Sequence, residues 1–337
     1  MRHLLLLAAV VLIGACDPGM PQTVSTTPPL DAERLDAMGE DLSARAGEAR
    51  LGVALMNLES GELWAIRGSE RFPMQSVFKA PLGAAVLAEV DAGRLTLDET
   101  LTLDDENLSP PFSPVAAAYP GRRDYTVAEL LTLAVGTSDN TAADLLMRRI
   151  GGPGAVTAWL RSQGLSDMRV DRYERQMQPE IAGLESFRPA LKTEAAYSAA
   201  LAETPAEVRR AATARYLQDP RDTTSPRDAL LFLSKLARGE LLSDASTARL
   251  LKIMEESRSG PNRLAAGLPD GARLAHKTGT ARTDLGLNPA TNDIGLITLA
   301  DGRQYAVAVF LSGSALPEAE REAIIADVAR AVSAAVG

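Results

Sequence analysis

Strand patterns at both ends of the chain, with helical patterns between them, limit the fold more than any other feature of this sequence. Near the N-terminus, Leu51–Met56 and Leu63–Ile66 read as a hairpin across Asn57-Leu58-Glu59-Ser60-Gly61. Strand patterns return only at Leu274–Thr280, Ile294–Leu299 and Tyr305–Leu311. From about 126 to 256 the apolar residues recur at helical spacing. Further helices are expected over 31–46, from Ser76 to Val90 with Gly93 just beyond, and from Pro317 to Val336. One sheet must therefore collect strands from both termini. The expected fold class is α/β plus all-α in two lobes. A mixed lobe holds an antiparallel sheet drawn from both termini, and a helical lobe is inserted at about 91–262. The cleft between lobes is the expected site. At 337 residues and 46% hydrophobic composition, the chain has enough core for such a body.

The N-terminus is set apart. Arg2 and His3 precede an apolar run, Leu4 to Ile13, too short to span a bilayer comfortably. Residues 1–16 read as a signal peptide. Ile13-Gly14-Ala15-Cys16 resembles a bacterial lipobox, which implies a lipidated Cys16, export to the periplasm and a membrane anchor. The alternative is ordinary cleavage near Cys16. Residues 17–30, rich in Pro and Thr, read as a flexible linker, and 31–337 as the folded domain. Cys16 is the only cysteine, so no disulfide is expected.

Composition excludes several chemistries. The net charge is −9 and no basic run occurs, which argues against a nucleic-acid partner. Histidine occurs only at His3 and His276. A zinc centre needs three or four N, S or O ligands, so no metal is expected, and no other cofactor. A Ser-His-Asp triad would have to use His276. The base in any serine chemistry is therefore expected to be Lys or Glu. Lysine occurs at only five positions (79, 192, 235, 252 and 277) among 35 basic residues. Arginine is effectively always charged, whereas lysine can lose its proton when buried, so each retained lysine is informative.

Three short motifs carry chemistry. Ser76-Val77-Phe78-Lys79 is the only S-x-x-K in the chain. On a helix its serine and lysine lie on one face, about one turn apart. Ser76 at a helix start meets unpaired N–H groups that favour an alkoxide. Lys79, buried beside Phe78, can take up a proton as a base. Ser138-Asp139-Asn140 precedes a helix expected over Thr141–Ile150. Its hydroxyl, carboxylate and amide can shuttle a proton, brace the turn and hold a substrate amide. His276-Lys277-Thr278-Gly279-Thr280 ends a strand with a cation, a hydroxyl and a glycine that permits close backbone approach. Taken singly, each has a plain alternative: a helix cap, a second helix cap, and a strand entering a turn.

Together, in this order, the three resemble the S-x-x-K, S-D-N and K-T-G of the penicillin-recognising serine enzymes. The likeness to class A β-lactamases runs from about 31 to 337. It includes Glu70-Arg71-Phe72-Pro73-Met74-Gln75-Ser76, the Ser138–Leu146 stretch, Asp171-Arg172-Tyr173-Glu174 and Thr291-Asn292-Asp293-Ile294-Gly295. The resemblance implies a monomeric hydrolase that opens β-lactam antibiotics through a serine acyl-enzyme and so confers resistance. It implies Ser76 as nucleophile, and Lys79 and Glu174 sharing base duty in acylation. Glu174 then activates water for deacylation, and Ser138 passes a proton to the leaving nitrogen. Lys277, Thr278 and Gly279 bind the substrate carboxylate end, and Asn140 holds the side-chain amide. Ser76 and Thr280 N–H groups form the oxyanion hole. Phe112 resembles the aromatic gate at the cleft mouth. One physical argument for Glu174 is independent of the family. An acyl-serine ester persists unless water is deprotonated beside it, and without a suitable histidine a buried carboxylate is the natural base.

The sequence also departs from the family. Gln178 stands four residues after the glutamate, where Asn is usual and helps hold the water. Asp144 stands where Asn usually braces the Ω-loop, the loop that carries the glutamate. Arg172 and Asp222 look like the pair that closes this loop, yet 47 residues separate Glu174 from Asp222. The excess, about 179–218, contains helix-like runs Leu191–Ala202 and Ala206–Leu217, broken at Thr204-Pro205. It reads as a lid or as a hairpin packed on the helical lobe. Thr291 occupies the usual place of a carboxylate-binding arginine, with Arg282 a candidate replacement. Two other functions remain open: a β-lactam receptor that acylates and stops, and a D-alanyl-D-alanine peptidase. The Asp171-Arg172-Tyr173-Glu174 setting favours the hydrolase.

Overall fold

The structure is a computed structural model that describes residues 29–335. The leader, Cys16 and the linker up to residue 28 lie outside the described residues. Both ends of the chain meet in one five-stranded antiparallel sheet. Its spatial order is Leu63–Ile66, Arg50–Asn57, Gln304–Ser314, Asn288–Thr298 and Arg273–Thr280. Val53 lies opposite Val309, and Ile294 opposite Ala308.

The three central strands are buried on both faces, and their side chains divide with a period of two. Val53, Leu55, Val307, Val309 and Leu311 pack with Leu35, Leu42, Ile325 and Val328 of the terminal helices Ala32–Ala46 and Glu318–Ala335. Ala54, Ala306, Ala308 and Phe310 face the other way, toward Leu230, Phe232 and Leu233 of the helix Pro226–Ala237. The helical lobe forms around Lys79–Asp91, which buries Leu82, Val86 and Leu87 along with smaller residues on every side. A helix that is apolar all round belongs in the centre of a lobe.

Two boundaries differ from the sequence reading. The chain docks from Leu30, whose N–H donates to Glu62 Oε2 at 2.7 Å and whose side chain is buried. The helix expected from Ser76 begins instead as a 3₁₀ turn, Gln75–Phe78, before the α-helix Lys79–Asp91. The tighter turn follows from Gln75 at φ +48° and the Val77 N–H donating to Met74 O at 3.2 Å. Among the described residues no helix is long and apolar enough to cross a membrane.

The inserted segment forms the helices Glu194–Glu203 and Ala206–Gln218, parted at Thr204 and Pro205 as the sequence suggested. It leaves the Ω-loop helix Glu174–Ile181 after Ile181, with Pro179 inside that helix. The segment is a strut tied to both lobes rather than a hairpin on one. On the helical side Lys192 pairs with Asp105 at 2.5 Å, and Glu194 Oε2 accepts from Phe112 N–H at 2.9 Å. On the sheet side Arg209 pairs with Asp284 at 2.5 Å. Exposed ion pairs contribute little. The buried Tyr197, Leu201, Ala212 and Tyr216 hold the segment down through apolar area.

Candidate active site

The chain enters the turn that carries Ser76 through Phe72–Pro73, paired with Thr223–Thr224. Asn292 Nδ2 reaches across from the main sheet to Pro73 O at 2.9 Å and Met74 O at 3.1 Å. Gly279 makes the approach possible. A Cβ there would lie 2.3 Å from Met74 O and 3.1 Å from Val77 N, so only glycine lets this strand lie against the turn that carries Ser76.

Lys79 is fully buried below Ser76. Its Nζ donates to Ser76 Oγ at 3.0 Å, Ser138 O at 2.8 Å and Asn140 Oδ1 at 2.5 Å, and lies 3.0 Å from Glu174 Oε1. That last contact is one of charge, because Oε1 has no aligned hydrogen-bond donor among the described residues.

Ser138 sits where a π-helical turn, Thr132–Gly136, hands over to the helix Asn140–Arg149. Its φ is +63°. Asp139 caps the new helix by accepting from Ala142 N–H at 2.9 Å, and it also takes Ser113 Oγ at 2.8 Å and Val115 N–H at 2.7 Å. Gln75, Phe112, Ser138 and Asp222 are four of the seven described non-glycine residues at positive φ. Such conformations cost on the order of 1–3 kcal/mol each and gather at functional sites.

Opposite Ser138, the Lys277 Nζ donates to Ser138 Oγ at 3.0 Å and to Thr278 O at 2.9 Å. Burial pushes the Lys277 ammonium well below its usual value, and the neighbouring Lys79 charge acts the same way. Thr278 Oγ1 donates to Ser259 Oγ at 2.9 Å. His276 is tied to Asp293 at 2.9 Å, so the Ser76 hydroxyl has lysine, not histidine, as its partner.

Glu174 opens the helix Glu174–Ile181, and the Tyr173 side chain makes no cap. Asp144 supplies one from a different helix. It accepts from Glu174 N–H at 2.7 Å, Arg175 N–H at 2.9 Å and Ser109 Oγ at 2.6 Å. A carboxylate at a helix N-terminus is favoured by the dipole. Gln178, one turn on, donates from Nε2 to Glu174 Oε2 at 2.9 Å and to Gln75 Oε1 at 3.2 Å. Arg172 and Asp222 meet at 2.6 Å and close the loop, and Arg172 also reaches Glu180 at 2.8 Å.

Burial raises the Asp144 carboxyl from 3.8 to about 6, against the hydrogen bonds that favour its charge. A carboxyl with a raised folded value stabilises the fold fully below pH 3.8 and loses that contribution as the pH rises through about 6. At ~1.4 kcal/mol per unit the swing is about 3 kcal/mol. Urea unfolding of wild type and Asp144→Asn should therefore diverge across this window, the wild type losing ground as pH rises. Parallel profiles would refute the assignment.

Ser76, Phe112, Ser138, Asn140, Gln178, Thr278 and Thr280 all line one cleft of about 330 Å³. Lys79, Glu174, Lys277 and Gly279 form its buried floor. Phe112 is 62% exposed at the mouth. Arg282 lines the cleft from an exposed loop. Thr291 is spent on Asn288 Oδ1 at 2.8 Å and Arg321 Nε at 2.9 Å. The sequence reading missed Arg263. It is buried, and its Nη2 donates to Thr280 Oγ1 at 2.8 Å, with Glu322 and Asn292 O holding the rest of the fork. In an arginine-rich chain nothing but its burial marks it. Among the described residues no group of three or more His, Cys, Asp or Glu could hold a metal ion.

Comparison with known proteins agrees with this geometry. Residues 33–336 match the model of the beta-lactamase enzyme family. The extended-spectrum beta-lactamase PER-1 of Pseudomonas aeruginosa is 35% identical over 285 residues, 84% of this chain and 81% of that protein. Beta-lactamase VEB-1 of the same organism is 31% identical over 287 residues, 85% of each. A solved beta-lactamase from Chitinophaga pinensis is 34% identical, with TM-score 0.74 over 89% of this chain and 100% of that one. An ancestral class A beta-lactamase is 38% identical, with TM-score 0.71 over 90% of this chain and 99% of that one. Family, relatives and fold agree over most of the length, and the chain belongs to the class A serine β-lactamases, hydrolases of the β-lactam ring.

Proposed function

We propose that this chain hydrolyses β-lactams in two steps carried by Ser76 and Glu174. The observation that carries the reading is the line Ser76 Oγ, Lys79 Nζ, Glu174 Oε1, with 3.0 Å at each link. In acylation Ser76 Oγ attacks the ring carbonyl and its proton passes to Lys79, the only side-chain nitrogen bonded to it among the described residues, as the Lys79 ammonium gives one of its own protons on to Ser138. Glu174 reaches Ser76 only through Lys79 or a water. The amide C–N bond breaks, and Ser138 gives a proton to the leaving nitrogen beside Lys277. In deacylation Glu174 takes a proton from water. The resulting hydroxide attacks the ester, and Ser76 leaves as it takes back, through Lys79, the proton that Glu174 holds. Ser76 and Thr280 N–H groups stabilise the oxyanion. Lys277 and Thr278 take the substrate carboxylate, with Arg263 behind Thr280 adding positive charge. Asn140 holds the side-chain amide, and Gln178 keeps Glu174 aimed. Phe112 flanks the entrance.

Mixing the protein with a chromogenic cephalosporin tests the reading. Many turnovers per molecule are expected, with mass spectrometry showing little adduct at steady state. A single stoichiometric burst followed by a stable adduct would move the chain to the receptor class.

We further infer that residues 1–16 direct export and that Cys16 is lipidated, leaving a periplasmic monomer anchored to a membrane. The support is the lipobox-like Ile13-Gly14-Ala15-Cys16 at the sole cysteine. Cys16→Ser should shift the protein from the membrane to the soluble fraction. Unchanged fractionation would refute the anchor.

A further inference from the structure

The inserted helix Ala206–Gln218 carries one polar side chain into the space behind the nucleophile. Tyr216 is 4% exposed, and its hydroxyl oxygen accepts from Gln75 Nε2 at 2.5 Å. Gln75 directly precedes Ser76 and is also buried. Its Oε1 accepts from Gln178 Nε2 at 3.2 Å, and the same nitrogen donates to Glu174 Oε2 at 2.9 Å. Four side chains thus form a line from the insert to the carboxylate.

Donor counting sets the direction of this line. An ionised carboxylate only accepts, so Gln178 must turn its NH₂ toward Glu174. The second hydrogen of that NH₂ needs an acceptor, which Gln75 Oε1 supplies. Gln75 is then obliged to turn its own NH₂ toward the insert, where only an acceptor satisfies it. The Tyr216 oxygen is that acceptor. A phenylalanine in its place would leave a buried N–H of Gln75 orphaned, and the Gln75 side chain would have to shift toward another acceptor. That shift would lengthen its contact with Gln178 and loosen the hold on Glu174. The helix bearing Tyr216 is seated by its buried Ala212 and Tyr216, with Arg209 and Asp284 paired at its sheet-side edge.

We propose that Tyr216 is a positioning residue for deacylation, acting on Glu174 through Gln75 and Gln178. The proposal rests on the reading of Glu174 as the deacylating base and gives the inserted segment a role in that step.

The test is Tyr216→Phe, which removes one oxygen and keeps the ring. Losing one buried hydrogen bond corresponds to about tenfold in a rate constant. With a substrate whose deacylation limits turnover, kcat and KM should fall together by about tenfold while kcat/KM stays within about twofold, and acyl-enzyme should accumulate. Gln75→Met, which deletes the amide and keeps the length, should show the same split and serves if Tyr216→Phe fails to fold. In the Gln75→Met background Tyr216→Phe should add nothing further, because coupled effects are not additive. Unchanged kcat in both variants, a loss confined to kcat/KM, or full additivity would each overturn the proposal. Failure of the underlying reading is distinguishable. If Glu174→Gln turns over like wild type, the base is misassigned. If Glu174→Gln traps the acyl-enzyme while Tyr216→Phe deacylates normally, only the role of Tyr216 falls.

Discussion

Glu174→Gln is expected to react with penicillin and then stall as the acyl-enzyme. The amide has the size and shape of the carboxylate and can still accept from Gln178 Nε2, now 2.9 Å from Glu174 Oε2. The helix it opens remains capped by Asp144, which binds the backbone N–H and not the side chain. What is lost is the ability to take a proton from water. General-base catalysis is typically worth about 10²–10⁴-fold, so deacylation should slow by that factor. Acylation should survive, because Lys79 Nζ stays 3.0 Å from Ser76 Oγ. Intact-mass measurement after mixing would show one added penicillin per molecule, persisting long after wild type has cleared it. Wild-type turnover in the variant would point to another base, with Glu180 and Glu185 the next acids after Glu174 along the chain. Both are poorly placed for it: Glu180 is engaged by Arg172 and Arg221, and Glu185 lies in the stretch past the helix end. Complete loss of acylation would mean that Glu174 is needed in the first step too. Circular dichroism and a thermal melt would separate that outcome from misfolding.

Ser76→Ala should leave no covalent adduct and reduce turnover by several orders of magnitude, the usual result of deleting a serine nucleophile. Proximity to a lysine is not enough to single out Ser76, since Ser138 Oγ also lies 3.0 Å from a lysine, Lys277. Two features separate them. Ser76 lies at the start of the central helix, where free N–H groups favour developing negative charge. It also stands beside the strand end Gly279–Thr280, where a Cβ on Gly279 would lie 2.3 Å from Met74 O, and a second N–H from that strand end is expected there. Ser138 also precedes a helix, Asn140–Arg149, but Asp139 caps that helix by accepting from Ala142 N–H at 2.9 Å, whereas the turn carrying Ser76 has no side-chain cap. A mass increment of one substrate in Ser76→Ala that vanishes in a Ser76→Ala/Ser138→Ala double variant would show that the two roles were assigned the wrong way round.

Much of this was readable before any coordinates, for identifiable reasons. Ser76 and Lys79 are one helical turn apart, and Lys277 to Thr280 lie along one strand, so local geometry makes each set a chemical unit. The strands at both ends declared themselves as short apolar runs bounded by turn residues, and the central helix by its longer unbroken apolar run. Even the insert showed its two helices, because Thr204-Pro205 interrupts a helical pattern. Partnership across the fold was hidden. Ser138 and Lys277 stand 139 positions apart and touch only because the sheet lobe closes on the helical lobe. Asp144 in place of the usual amide looked like a departure, and its burial against a helix N-terminus makes it a cap. Arg263 and Tyr216 belong to no motif, and each becomes part of the site through a single contact, to Thr280 and to Gln75. Periodicity tells which face of an element is buried but not against what. The chemistry of each motif therefore belonged to the sequence, whereas the pairing of motifs waited on register and lobe closure, which long-range packing decides.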